Sequence, residues 1–406
     1  LSASFAALPL YFQALVLVSL GLWCWGSNVH GLVASGIDVQ SLLEHRAGDR
    51  GWHHRAVYAL AATVSVVTCV SLYFFLQMAE KYGEEGSEGW VVLTYVALLV
   101  GLVWPWNVGW RNERYKFLRS LRRIAFGGIR SEVPFSDVLL ADILTSFSKV
   151  FGDLQPVFTD LVLDDHSIAT VSHGGGAWSE LIAPMLVSIP FLFRLRQCIA
   201  EHNLATDEAS RSRHLANAVK YISSLPVIAS SFLVSWMRVQ QLEERERRAT
   251  VPSRAADDTA WEVDVEVVLS MINSLYSLYW DVYMDWHLGN RLGRRAKPRR
   301  SEIPPPITTS GSSSTYPPFL RPILHFPYPS LYYLAIVLDS SMRFAWLLRL
   351  VPRHVTVRAA GFSFAAAATA PAALDAGLKV LELLRRWMWV FFRVEREWVS
   401  RGAGIG

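Results

Sequence analysis

The stretch SLYSLYWDVYMDWHLGN (274–290) places two carboxylates, Asp281 and Asp285, one helical turn apart in an otherwise aromatic run. At i and i+4 they share a helix face. A charge in an apolar helix is costly unless it is paired or wetted, so these acids need cations from elsewhere in the chain. Ionisable residues recur inside the apolar segments that follow residue 133: Asp142, Lys149 and Asp153, then Arg194 and Arg196, then Lys220, then Asp339 and Arg343, and last Asp375, Lys379, Glu382, Arg385, Arg386 and Arg393. Asp339 precedes Arg343 by four residues, the favourable order, and Glu382 precedes Arg385 and Arg386 by three and four. The candidate partners of the two acids are Arg194, Lys220, Arg343, Arg385 and Arg386.

One such pair would read as glue between helices. Five cations and a similar number of acids spread over six segments are too costly for glue alone, and ionisable groups in membrane helices point to function. Guanidinium forks match the oxygens of phosphate or carboxylate, whereas a proton relay would favour acids and histidines without so many arginines. The expected chemistry is reversible binding of an oxyanion in a wet cavity.

The elements that must position these groups are membrane helices. The 406 residues are 52% hydrophobic and 18% charged, with 16 Trp, 14 Tyr and 20 Phe. Soluble domains carry about 25% charged residues, so the fold class is an all-α polytopic membrane bundle. About nine spans are expected, near 8–27, 56–79, 90–110, 134–156, 177–198, 215–237, 261–288, 329–351 and 360–392. The first is read as a retained span rather than a cleaved signal. The spans divide into an N-terminal unit of three plus a basic cytosolic segment (1–132), a unit of six around the anion pathway (133–398) and a short cytosolic tail (399–406). The positive-inside rule puts the basic stretches 111–130 and 291–300 in the cytosol and the acidic stretches 80–89 and 160–166 on the other side.

Residues 113–130 read either as an amphipathic basic helix on the cytosolic face or as an ordinary juxtamembrane loop. Residues 301–318 read as a Pro/Ser linker. Cys24, Cys69 and Cys198 show no disulfide or metal spacing, and no cofactor is expected. The net charge of +4 is spread among loops and is not a nucleic-acid footprint. The chain lacks a phosphate-loop cysteine, an H-E-x-x-H motif and a Walker loop, and GGG at 174–176 is only a loop signal. No enzymatic activity is expected. His287, after the second acid, reads as an interface histidine.

Several blocks together resemble the EXS family, the membrane domain of eukaryotic phosphate exporters related to the xenotropic-retrovirus-receptor type. They are LVWPWNVGWRNERYKFLRSLRRIAF (102–126), VPFSDVLLADIL (133–144), FRLRQCI (193–199), HLANAVKYISS (214–224), NSLYSLYWDVYMDWHL (273–288), DSSMRFAW (339–346) and LELLRRWMWVFFRVEREW (381–398). The resemblance implies that six C-terminal helices enclose a phosphate pathway lined by Asp142, Arg194, Lys220, Asp281, Asp285, Arg343, Trp346, Glu382, Arg385 and Arg386. Trp346 and the aromatics near 276–286 would form a constriction. Ser210 stands where exporters carry a further basic residue. With no SPX domain before the first span, the chain resembles the short fungal ER-retention-defective type of the Golgi. That type is implicated in returning lumenal phosphate to the cytosol and in retaining glycosyltransferases. Membrane lipids, a cytosolic sorting adaptor, glycosyltransferases and a homodimer are the further partners considered. The alternative function is a non-transporting Golgi scaffold or sorting receptor.

Overall fold

The computed structural model describes residues 5, 8–44, 53–83, 87–106, 110–155, 177–247, 260–289, 318–321, 323–350 and 364–402. The basic stretch 291–300, the linker 301–317, the acidic loop 160–166 and the GGG at 174–176 lie outside them. Thirteen α-helices are present among the described residues: α1 (Leu10–Ala34), α2 (Val39–Glu44), α3 (His53–Tyr82), α4 (Glu88–Val103), α5 (Arg111–Phe126), α6 (Phe135–Ser146), α7 (Ser148–Asp153), α8 (Ala177–Leu204), α9 (Glu208–Ile222), α10 (Ser224–Arg247), α11 (Ala260–Tyr279), α12 (Pro329–Arg343) and α13 (Phe364–Gly402). A π-helical turn, Trp280–Asp285, continues α11, and a 3-10 turn, Ala345–Leu350, follows α12. There is no strand among the described residues.

Five helical segments are long and apolar enough to cross a membrane: Leu10–Ala34, His54–Tyr82, Leu181–Leu204, Glu208–Val234 and Pro329–Leu350; the shorter Gly89–Val103 is apolar as well. The other three expected spans are less regular. The one near 134–156 is divided at Phe147 between α6 and α7. The one near 261–288 changes to π geometry at Trp280. The last is a 39-residue helix with many charges.

Side-chain pairs fix the direction of each pass. Ser19 meets Ser65 while His30 meets Tyr58, so α1 and α3 are antiparallel. Thr94 meets Ser71 while Trp90 packs on Phe74, so α4 runs back along α3. α6 opposes α13, with Phe135 under Arg393 and Ser146 on Glu382. α8 opposes α6 through Arg194–Asp142 and Gln197–Asp137. α10 and α11 are antiparallel through Ser224–Asn273 and Ser231–Glu266. α12 and α13 are antiparallel through Tyr332–Glu395 and Arg385–Asp339. The first and last helices run the same way: Trp387 donates to Ser27 at 2.8 Å, and Gly31, one turn on, faces Phe391.

The segment near 113–130, open between helix and loop in the sequence, is the helix α5. Arginines at three helix ends hold it in place. Arg114, buried, donates to the carbonyls of Gly101, Leu102 and Trp104 at 2.6, 3.1 and 3.1 Å. Those carbonyls end α4 and have no partner within their own helix. Arg123 makes a two-pronged contact with Asp137 in the first turn of α6. Arg196 of α8 donates to the last carbonyls of α5, those of Arg123 and Ile124 at 2.9 and 2.8 Å and that of Gly127. The outer face of α5 exposes Arg111, Lys116, Arg119 and Arg122 beside Tyr115, Phe117 and Phe126, as a helix lying in an interface requires.

Two glycines on α1 permit this packing. A Cβ at Gly26 would lie 2.8 Å from the Tyr58 ring, and one at Gly31 would lie 2.9 Å from Phe391. Gly101 on α4 has open space around it. Gly26→Leu and Gly31→Leu are each expected to lower stability by about 1–3 kcal/mol through overpacking, whereas Gly101→Leu should not lower it. Thermal denaturation in detergent, followed by tryptophan fluorescence, checks the contrast.

Candidate functional site

The site is built where α6, α8, α9, the π-turn, α12 and α13 meet. The π-turn is the local device. Its i→i+5 pattern appears as the Trp286 amide bonding the Asp281 carbonyl at 3.0 Å, and such turns recur at functional positions. Trp280, Asp281 and Val282 are all buried, so protein surrounds the turn. The chain leaves it through His287 at φ 53° and Gly289 at φ 86°. A left-handed conformation at the non-glycine His287 is a strained exit.

Asp281 is fully buried and takes three cations from three helices. Lys220 of α9 lies at 2.9 Å, Arg385 of α13 at 3.1 Å, and Arg343 of α12 pairs with the same carboxylate. Arg385 is itself shared, with Asp339 at 3.1 Å and, through two nitrogens, with Glu382 at 2.6 and 2.9 Å. Beside this knot lies a second centre. Asp142 of α6 accepts from Arg194 at 2.8 Å and from the Tyr221 hydroxyl at 2.6 Å. Arg194 also donates to Gln197 at 2.7 Å and lies over the Tyr221 ring.

Arg386 is held differently from the other four cations. It is buried, and among the described residues no carboxylate forms an ion pair with it. Its Nε donates to Ser146 Oγ at 2.9 Å and its Nη2 to Thr145 Oγ1 at 3.2 Å. Both hydroxyls have spent their protons elsewhere, Ser146 on Glu382 and Thr145 on the Asp142 carbonyl. They therefore present lone pairs to Arg386, and Ser146 stands between its guanidinium and the Glu382 carboxylate. The guanidinium stacks over Trp389 at 4.6 Å, and its Nη1 has no hydrogen-bond partner.

A cavity of about 170 Å³ adjoins these groups toward the end of the bundle where α5 lies. Arg194, Arg213, Arg393 and Arg396 line it against Asp142, Glu201 and Asp285, with His214, His287 and Asn217 between them. At roughly 30 Å³ per water it has room for a small hydrated anion. Asp285 is loosely held there, 3.8 Å from Lys220 and 3.9 Å from Arg393, so its oxygens keep acceptor capacity.

A model described as the EXS family matches residues 8–399. The chain belongs to the EXS family. It is 26% identical over 412 residues to Protein ERD1 homolog 1 of Schizosaccharomyces pombe, covering 96% of this chain and 90% of that protein. Identity to Solute carrier family 53 member 1 of Homo sapiens is 25% over 394 residues, covering 93% of this chain and 48% of that protein. Identity to Phosphate transporter PHO1-2 of Oryza sativa subsp. japonica is 24% over 391 residues, covering 95% and 40%. The chain thus spans most of the first relative and less than half of the other two. This EXS protein is a multi-pass membrane protein in a family that includes proteins named as phosphate transporters.

The ten residues singled out in the sequence gather in one region of this EXS protein, but not in one open pocket. Asp142, Arg194 and Asp285 line the cavity. Lys220, Arg343, Arg385, Asp281 and Glu382 are engaged mostly with one another. Arg386 pairs with hydroxyls rather than with Glu382, the partner its spacing predicts. Arg343 prefers Asp281 on another helix to Asp339 in its own, which lies at 3.8 Å. Trp346 sits in the 3-10 turn and donates to Ser274 at 3.1 Å, where it ties that turn to α11. Tyr221, Thr145, Ser146 and Gln197 escaped a census of charges because they carry none. The cavity-lining Arg213, Glu201 and Arg396 lie beyond the expected span ends.

Removing one member of a buried charge cluster strands the rest. Asp281→Ala is expected to lower stability by about 3–5 kcal/mol, while Arg386→Gln should lower it less, because the carboxylates near Arg386 keep direct cations of their own. Thermal melts of the two purified variants in the same detergent separate these outcomes.

Proposed function

We propose that this EXS protein carries inorganic phosphate across a Golgi membrane from lumen to cytosol, and so supports retention of the glycosyltransferases whose released nucleoside phosphates are hydrolysed to phosphate in the lumen. One observation supports it above the others: Arg386 is a buried cation with no direct carboxylate contact among the described residues and an unspent N–H, set one helical turn from the Asp142–Arg194 centre. The membrane-domain likeness to proteins named as phosphate transporters agrees with that chemistry, and the likeness to a protein named ERD1 homolog 1 suggests the compartment.

In this reading Asp281, Asp339 and Glu382 neutralise Lys220, Arg343 and Arg385 and fix them. Their fields cancel locally, and the anion is not held too tightly to leave. Phosphate binds the free face of Arg386 and passes toward Arg194 and Arg393, about 10 Å along α13 for the seven residues from 386 to 393. Asp285 accepts the P–OH hydrogen bond. Asp281, with three cations on it, is saturated and orients the cations instead. No covalent step is involved, and no cofactor is called for.

Purified protein in proteoliposomes is expected to move labelled phosphate. Arg386→Ala should slow the flux by about 10- to 100-fold, the equivalent of about 1.5–3 kcal/mol for a hydrogen bond to a charged group. Asp285→Asn should reduce the preference for phosphate over sulfate more than it reduces folding yield. Wild-type protein that moves no phosphate would favour the scaffold function, and unchanged flux in Arg386→Ala would remove Arg386 from the path.

A further inference from the structure

On the side of α13 away from the charged site, α1, α3 and α13 border an open apolar cleft of about 490 Å³. Trp23, Cys24, Ser27, Tyr58, Leu384 and Trp387 line it. Its polar groups are already consumed. Trp387 donates to Ser27 at 2.8 Å, Ser27 donates to the Cys24 carbonyl at 2.8 Å, and Trp23 donates to Ser65 at 3.1 Å. Nothing in the lining solicits water, and an apolar chain is the matching content.

The cleft has a polar end. Tyr58 leads from it to His30, whose Nδ1 lies 3.4 Å from the Tyr58 hydroxyl. His30 stacks on His54 with ring centroids 4.9 Å apart and planes 11° apart. Arg55, the next residue, is exposed. From Trp23 to His30 is seven residues, about 10 Å along the helix. This end belongs to the face where α5 lies, the cytosolic face by the distribution of basic residues.

We propose that the cleft is a binding site for one phospholipid of the cytosolic leaflet. An acyl chain lies against Trp23, Leu384 and Trp387, and the headgroup phosphate is received by the His30–His54 pair with Arg55. A second copy of the chain is the poorer fit. Six side chains line the cleft, whereas a stable protein interface takes roughly 20–30 residues a side, and a helix is about 10 Å across. The site places lipid directly on α13, because Leu384 and Trp387 flank Arg385 and Arg386 in sequence. It rests on the cleft and not on the transport reading, and it is read by binding alone.

The full chain, purified in mild detergent, is tested by native mass spectrometry. Wild type and Cys69→Phe, altered at an exposed position outside the cleft, are expected to retain one phospholipid per chain. Cys24→Phe fills the cleft from α1 and Leu384→Trp fills it from α13. Each should reduce retention by about tenfold, so the test survives if one variant fails to fold. On adding lipid back, phosphatidylserine should bind about tenfold better than diacylglycerol, and His30→Ala/His54→Ala should erase that preference. Inorganic phosphate should not displace the lipid. Full retention in both filled variants, equal binding of diacylglycerol by wild type, or a dimer that the filled variants dissociate would each overturn the proposal.

Discussion

A carboxylate with no contact with solvent must be surrounded by charge or must not be there. Asp281 is such a group, and much of the C-terminal architecture follows from it. Lys220, Arg343 and Arg385 reach it from three helices, so α9, α12 and α13 are pinned to the π-turn that carries it. Each cation alone would be costly at this depth, and each is acceptable only because the others and their acids complete the set. Arg385 extends the set to Asp339 and Glu382. The result is a nearly neutral knot, beside which Arg386 has no direct carboxylate contact among the described residues.

A related logic governs the basic end. Helix termini leave carbonyls without partners, and at α4 and α5 this protein answers with arginines from other helices. Arg114 closes α4 and Arg196 closes α5, while Arg123 holds the acid that starts α6. The interfacial helix is thereby fastened at both ends, and its basic outer face stays available to lipid headgroups.

Much of this was legible in the sequence. Hydropathy gave the helical class, and charges inside apolar runs marked residues that gather in one region, since few uncompensated charges survive there. Pairing was less legible. Spacing favours partners in the same helix, and it joined Arg343 to Asp339 and Arg386 to Glu382. The folded chain sends Arg343 across to Asp281 and Arg386 across to Ser146 and Thr145. Neutral partners such as Tyr221 leave no trace in a charge count. The π-turn leaves none in periodicity, because WDVYMD reads equally well as an α-helical face. The cavity's outer wall, with Arg213 and Arg396, lies where hydropathy marks only the end of a span.

The distribution of the knot over successive helices also bears on how the protein is made. Asp142 enters the bilayer before Arg194 exists, and Lys220 enters before Asp281. Asp281 then meets a waiting ammonium, and Arg343 arrives in a helix that brings its own acid, Asp339. The last helix delivers Arg385 together with Glu382, and only then are Asp281 and Asp339 fully matched. Until α13 is made, Asp281 and Asp339 lack the guanidinium that they share in the folded protein, so the nascent bundle carries acids short of cations.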